Sequence, residues 1–147
     1  MNPEIWGPHA WFFLHSIGMN YPTNPTQTDK NKYYNFFESL QNVLPCSLCR
    51  ENYKKHFKEF PLKKELNSRL NLRKWIVTIH NEVNKLKNKK LYNFKEVQSF
   101  YKDIYDKKID YKTNYYKYFF YILLIIILLF CLKNKKYILK NKKKILF

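Results

Sequence analysis

A chain of 147 residues has room for one compact domain and little more. Hydrophobic residues at 46% and aromatics at 19% supply a core, while only two glycines, Gly7 and Gly18, exclude a Rossmann fingerprint and a P-loop. The formal charge of +17 comes from lysine far more than arginine. It accompanies Asn, Tyr, Ile and Phe, residues whose codons share A/T richness, and no segment carries the clustered arginines of base readout, so no nucleic-acid partner is expected. Three cysteines, Cys46, Cys49 and Cys131, are too few for a secreted disulfide scaffold, and the first residues lack the pattern of a signal peptide.

In chain order, Pro3 and Glu4 open a first helix running to about Met19. Tyr21-Pro22-Thr23-Asn24-Pro25-Thr26 is a turn, because two prolines remove donors and impose extended geometry. Thr28 or Asp29 caps a second helix with Tyr33, Phe36, Phe37 and Leu40 at helical spacing. Pro45 ends it and opens a third helix from Cys46 to about Phe57. Leu72, Trp75, Ile76, Ile79, Val83 and Leu86 mark a fourth, and Phe94, Val97, Phe100, Tyr101 and Ile104 a short fifth. No stretch alternates with period two, so the class is all-α.

Residues 118–132 are uninterruptedly apolar or aromatic. As a helix they cover about 22 Å, extending to about 27 Å with Tyr115 and Tyr116 if Lys117 snorkels. Tyrosines at one end and lysines at the other are interfacial anchors, and so small a protein could not bury this segment in its core. The expected plan is a domain over 1–105, a juxtamembrane linker over 106–117, a transmembrane helix over 118–132 and a basic tail over 133–147.

The sharpest chemical signal is Pro45-Cys46-Ser47-Leu48-Cys49 at a helix start. Cysteines three apart share a face and can close a disulfide, and the positive end of the helix dipole favours a Cys46 thiolate, which is what thiol–disulfide exchange needs. A zinc site would need two more ligands; His56 could give one, but no second cysteine pair or His-rich repeat follows. A pair of inert buried thiols is the plainer alternative. Gly7, Trp11 and His15 form an i, i+4, i+8 stripe combining a gap, a flat ring and a hydrogen-bonding edge, suited to a planar heteroaromatic ligand or simply to a core. His80, Asn84 and Lys87 form a polar stripe on the most hydrophobic helix, either a buried network or the wall of a polar cofactor site.

Taken together, Trp11-Phe12-Phe13-Leu14-His15, Tyr21 to Thr26, Pro45 to Cys49 and the helix from Leu72 to Asn84 resemble, in order, the motifs of the Erv/ALR family of FAD-linked sulfhydryl oxidases over about residues 4–101. The resemblance implies a four-helix bundle with a short fifth helix, holding FAD beside the cysteine pair. Gly7, Trp11, His15, His80, Asn81, Val83 and Asn84 would contact FAD. Lys87, Lys89 and Tyr92 would serve its phosphate or adenosine side. Cys49 would lie against the isoalloxazine while Cys46 exchanges with a protein dithiol or a thioredoxin-like intermediary, and oxygen would receive the electrons as hydrogen peroxide. The family also implies a homodimer.

Two departures stand out. The family's structural disulfide falls at Lys58 and Phe94, so both halves are missing together, and its Arg-Trp pair near the adenosine falls at Phe100-Tyr101. A compact oxidase without shuttle cysteines on an N-terminal arm resembles the branch found in large DNA viruses. A late hydrophobic segment without a signal peptide suggests tail anchoring in a host intracellular or virion membrane, the oxidase domain facing the cytosol. The competing reading is a non-catalytic, basic, membrane-anchored helical adaptor.

Overall fold

In the computed structural model, residues 1–107 and 111–145 are described, the side chains of 111–115 and 136–145 excepted. The described residues are helical without a strand: α1 (Pro3–Asn20), α2 (Gln27–Val43), α3 (Ser47–Glu59), a 3-10 segment (Leu62–Asn67), α4 (Arg69–Leu86), α5 (Phe94–Asp106) and α6 (Tyr111–Ile145). They form two units, Met1–Asp103 and Ile104–Phe147.

In the first unit α1 packs on α4, α2 on α3, and α3 on α4, with the 3-10 segment wedged against α2 and α4. Local chemistry fixes the ends. Asn2 caps α1 by accepting the Glu4 N–H, with Pro3 at the first turn where its missing donor costs nothing. The cap of α2 lies two residues before the first of the expected caps: Thr26 is the N-cap, and Asp29, three residues on, returns a hydrogen bond to its backbone in a capping box. Asn93 and Glu96 make the same reciprocal pair at the start of α5.

The core is a seam of Leu14, Tyr21, Phe37, Tyr53, Leu62, Leu66, Leu72, Trp75, Ile76 and Ile79. Its buried polar atoms are paired across elements. The Tyr21 hydroxyl donates to the Leu66 carbonyl at 2.7 Å, Tyr53 to Phe37 at 3.0 Å, and the Trp75 indole to Phe60 at 2.8 Å, while Arg69 donates to the Tyr21 carbonyl. These bonds tie the Pro-rich turn and the 3-10 segment to the bundle, because each buried donor left alone would cost about 1–3 kcal/mol. Gly18 lets α1 approach α4: a Cβ there would lie 2.5 Å from Ile76 Cδ1. At the positions of the family's missing disulfide, Lys58 is exposed, and the Phe94 ring lies under Arg73 and Lys74.

In the second unit, α6 runs well beyond the expected 118–132, since neither Pro nor Gly interrupts 111–145 and lysine sustains a helix. The C-terminal part of the expected linker is therefore helical from Tyr111, while its residues 108–110 lie outside those described. Within α6, the 20 residues Tyr116–Lys135 are all exposed and apolar enough to cross a membrane. At 1.5 Å per residue this stretch is about 30 Å long, the thickness of a hydrocarbon core.

Candidate active site

Cys46 is the N-cap of α3 and is disulfide-bonded to Cys49, their Cα atoms 5.1 Å apart. The Cys46 sulfur also accepts the Cys49 backbone N–H at 3.2 Å, so it sits where the helix presents unpaired donors and positive potential. Charge left on Cys46 when the disulfide opens would be stabilised there. The disulfide opens on a cavity of about 230 Å³ walled by α1, α2, α3 and α4, with Gly7, Trp11, Val83 and Lys87 also in its lining.

A second cavity adjoins it through shared walls, and a third adjoins the second. The middle one, about 380 Å³, has Gly7, Trp11, His80, Val83, Asn84, Lys87, Lys89 and Tyr92 in its lining. The outer one, about 570 Å³, is bounded by His15, His80, Asn81, Tyr92 and α5 from Glu96 to Asp103. The structure thus brings each residue that the sequence reading gave to the cysteine pair or the cofactor to the wall of one of three successive cavities, while His56 lines none of them.

Trp11 and His80 stack with ring centroids 4.0 Å apart and planes within 7°, and His15 Nε2 meets His80 Nδ1 at 3.2 Å. Burial, with each neighbouring positive group adding to it, lowers the His15 pKa to about 3 and the His80 pKa to about 4. Both rings are therefore neutral near pH 7, one donating and one accepting. Asn81 uses both amide atoms on Tyr92, its Nδ2 donating to the carbonyl at 2.8 Å and its Oδ1 accepting the N–H at 3.1 Å. Buried Asn84 donates to the Lys90 carbonyl. These two asparagines shape the 88–92 loop, whose turn passes through Asn88 at φ 51°. Glu4 bridges Lys87 at 2.6 Å and Lys89 at 2.9 Å, and hydrogen bonds to the two ammonium groups hold its pKa down at about 2.

Tyr101, at the register of the family's Arg-Trp pair, is buried and lies 5.0 Å from the His15 ring, with Phe100 edge-on to it. His56 is buried with both ring nitrogens unpartnered, and no group of three or more potential metal ligands forms among the described residues. Sequence reasoning passed over Trp6, which lines the cavity at the disulfide. The signal was the 3- and 4-residue spacing of Pro3, Trp6, Gly7, Ala10, Trp11 and Leu14.

A large planar group with an anionic extension fits this set. A Cβ on Gly7 would meet nothing within 4 Å, leaving open space in a helix wall shared by two cavities. The buried Trp6 indole N–H lacks an acceptor, and at the middle cavity Lys87, Lys89 and Lys90 outnumber the single carboxylate, Glu4.

Comparison with known proteins gives a consistent answer. The profile of the Erv1 / Alr family matches residues 8–104. A protein of Acanthamoeba polyphaga mimivirus named probable FAD-linked sulfhydryl oxidase is 46% identical over 110 residues, covering 74% of this chain and 77% of that one. The FAD-linked sulfhydryl oxidase of an African swine fever virus isolate is 30% identical over 111 residues, covering 75% and 92%. The chain spans about half the length of its mitochondrial relatives, such as Saccharomyces cerevisiae ERV1, of which it covers 53%. The crystal structure of the FAD binding domain of Saccharomyces cerevisiae Erv1 superposes with a TM-score of 0.65 at 29% identity, covering 70% of this chain and 96% of that one. With the family profile spanning most of the first unit and the helices arranged as in that structure, this chain belongs to the Erv1/Alr family.

Proposed function

We propose that this chain is an FAD-linked thiol oxidase that makes disulfides in protein or thioredoxin-like dithiols. The observation that carries the reading is a helix-capping disulfide opening on the first of three successive cavities lined by aromatic, histidine and lysine side chains.

In this reading a substrate thiolate attacks the Cys46 sulfur, and Cys49 leaves as thiolate. The second substrate thiol then attacks its own mixed disulfide, releasing Cys46, whose charge the α3 N-terminus stabilises. Two electrons and two protons pass from substrate to the cysteine pair. Bound FAD supplies the two-electron acceptor that returns the pair to the disulfide and delivers the electrons to dioxygen as hydrogen peroxide. Trp11, with one face on His80, would flank the ring system from α1, and neutral His15 and His80 would offer hydrogen bonds without adding charge. Lys87 and Lys89 would receive the phosphates, and Asn81, Asn84 and Tyr92 would hold the wall beside them. Purified full-length protein should carry flavin and consume oxygen with a dithiol; colourless protein unable to take up FAD would defeat the reading.

The proposal extends to location and assembly. Tyr116–Lys135 would anchor the protein in a host intracellular or virion membrane, in keeping with its similarity to viral proteins. The oxidase domain is assigned to the cytosolic side. Five lysines before the apolar run 118–132, from Lys102 to Lys117, nearly balance the seven after it, from Lys133 to Lys144, so flanking charge does not set orientation strongly. Protease digestion of that domain on intact membranes supports the assignment, and protection overturns it. A homodimer is also part of the reading, with exposed Phe13 and Val43 offering apolar surface. Sedimentation at micromolar concentration tests it.

A further inference from the structure

The described residues contain two side chains with buried, unpartnered nitrogen atoms, Trp6 and His56. Trp6 is the one that lines a cavity beside the disulfide. An indole N–H is a donor only, so it can be satisfied solely by an acceptor. Much of that wall, Pro3, Ala10, Leu14, Leu40, Leu44 and Val83, has no side-chain acceptor, and Asn52, which has one, makes no hydrogen bond to this N–H. The Tyr53 hydroxyl donates its own proton to the Phe37 carbonyl and makes no hydrogen bond to the Trp6 indole. The complementary occupant is flat, largely apolar and carries an acceptor atom at its edge.

Resting on the FAD reading above, we propose that Trp6 is a positioning residue for the cofactor, its indole N–H donating to an acceptor on the isoalloxazine edge held beside Cys46–Cys49. A neutral hydrogen bond in a dry site changes affinity several-fold, and more when the acceptor gains negative charge. The acceptor atoms of a flavin ring gain charge on reduction, so this N–H favours the reduced state and raises the midpoint potential.

The test compares full-length wild-type protein in detergent with Trp6→Phe, which keeps the aromatic wall and removes the donor. Wild type must first bind FAD; if it does not, both the parent reading and this one fall. Given that binding, Trp6→Phe should weaken FAD roughly three- to ten-fold, a typical range for one hydrogen bond. FMN, which shares the ring, should weaken equally, whereas ADP, which lacks it, should bind as in wild type. The midpoint potential should fall. Unchanged FAD affinity and potential overturn the proposal, as does an equal loss with ADP. Should Trp6→Phe fail to fold, wild-type protein with ¹⁵N-labelled tryptophan answers the question. The Trp6 indole N–H should shift and exchange more slowly when FAD is added, and an unmoved signal with unchanged exchange overturns the assignment.

Discussion

Gly7 separates the demands of folding from those of the cofactor. It sits inside α1, where glycine costs up to about 1 kcal/mol relative to alanine. A Cβ there would meet nothing within 4 Å, so no packing contact forbids a side chain. Pro8 follows directly and crowds any Cβ before it, which offsets part of the gain, so Gly7→Ala and Gly7→Leu should leave flavin-free stability within about 1 kcal/mol of wild type. Both variants bear the same Pro8 crowding, and they differ in how far the side chain reaches into the two cavities that Gly7 borders. Wild type at a hundred-fold excess of FAD over its dissociation constant gains about 2.7 kcal/mol. For a domain of this size that is more than about 10 °C in Tm. Gly7→Ala should retain most of this shift and Gly7→Leu almost none. Differential scanning fluorimetry with and without added FAD reads both quantities. A Gly7→Leu protein showing the full shift would refute the placement of the cofactor against α1.

Cys46→Ser and Cys49→Ser should each abolish dithiol oxidation in an oxygen electrode while retaining flavin, whereas Cys131→Ser, an exposed position on α6, should oxidise at the wild-type rate. Acid should destabilise the bundle. With His15 held down to about 3 and His80 to about 4 by burial, the unfolded chain, titrating near 6.5, binds protons that the native state refuses. Stability is therefore full above about pH 6.5 and falls as pH drops toward 4, at up to about 3 kcal/mol per pH unit when both rings count. Urea midpoints that stay flat from pH 7 to 5 contradict the buried neutral pair. Asn84→Ala should lose flavin and also cost flavin-free protein about 1 kcal/mol, because the Lys90 carbonyl loses its donor; unaltered flavin content would make Asn84 an ordinary core polar residue.

Much of this was legible in the sequence because helical spacing and punctuation are local. The aromatic run of α2, the apolar stripe of α4 and the CxxC at a proline-marked helix start all declare themselves within one or two turns. The α2 cap was displaced because Asp29, expected as a possible cap, is the returning partner of Thr26. The 3-10 segment went unseen since six residues after Pro61 show too little periodicity, although Leu62 and Leu66 are fully buried. The bridge from Glu4 to Lys87 and Lys89 joins residues 83 and 85 apart, and the Trp6 N–H is buried without a partner only through tertiary packing. Such features belong to the assembled bundle and leave no local trace.

The central claim is that the Cys46–Cys49 pair and a flavin form one two-electron relay. An anaerobic titration of FAD-loaded full-length protein with a dithiol tests it most directly. Wild-type flavin should bleach in proportion to added dithiol, with flavin and cysteine pair together taking up two dithiols per chain, and its colour should return on admitting air. Cys49→Ser flavin should stay oxidised throughout. Bleaching of the Cys49→Ser flavin at the wild-type rate, or none in wild type, would contradict the account.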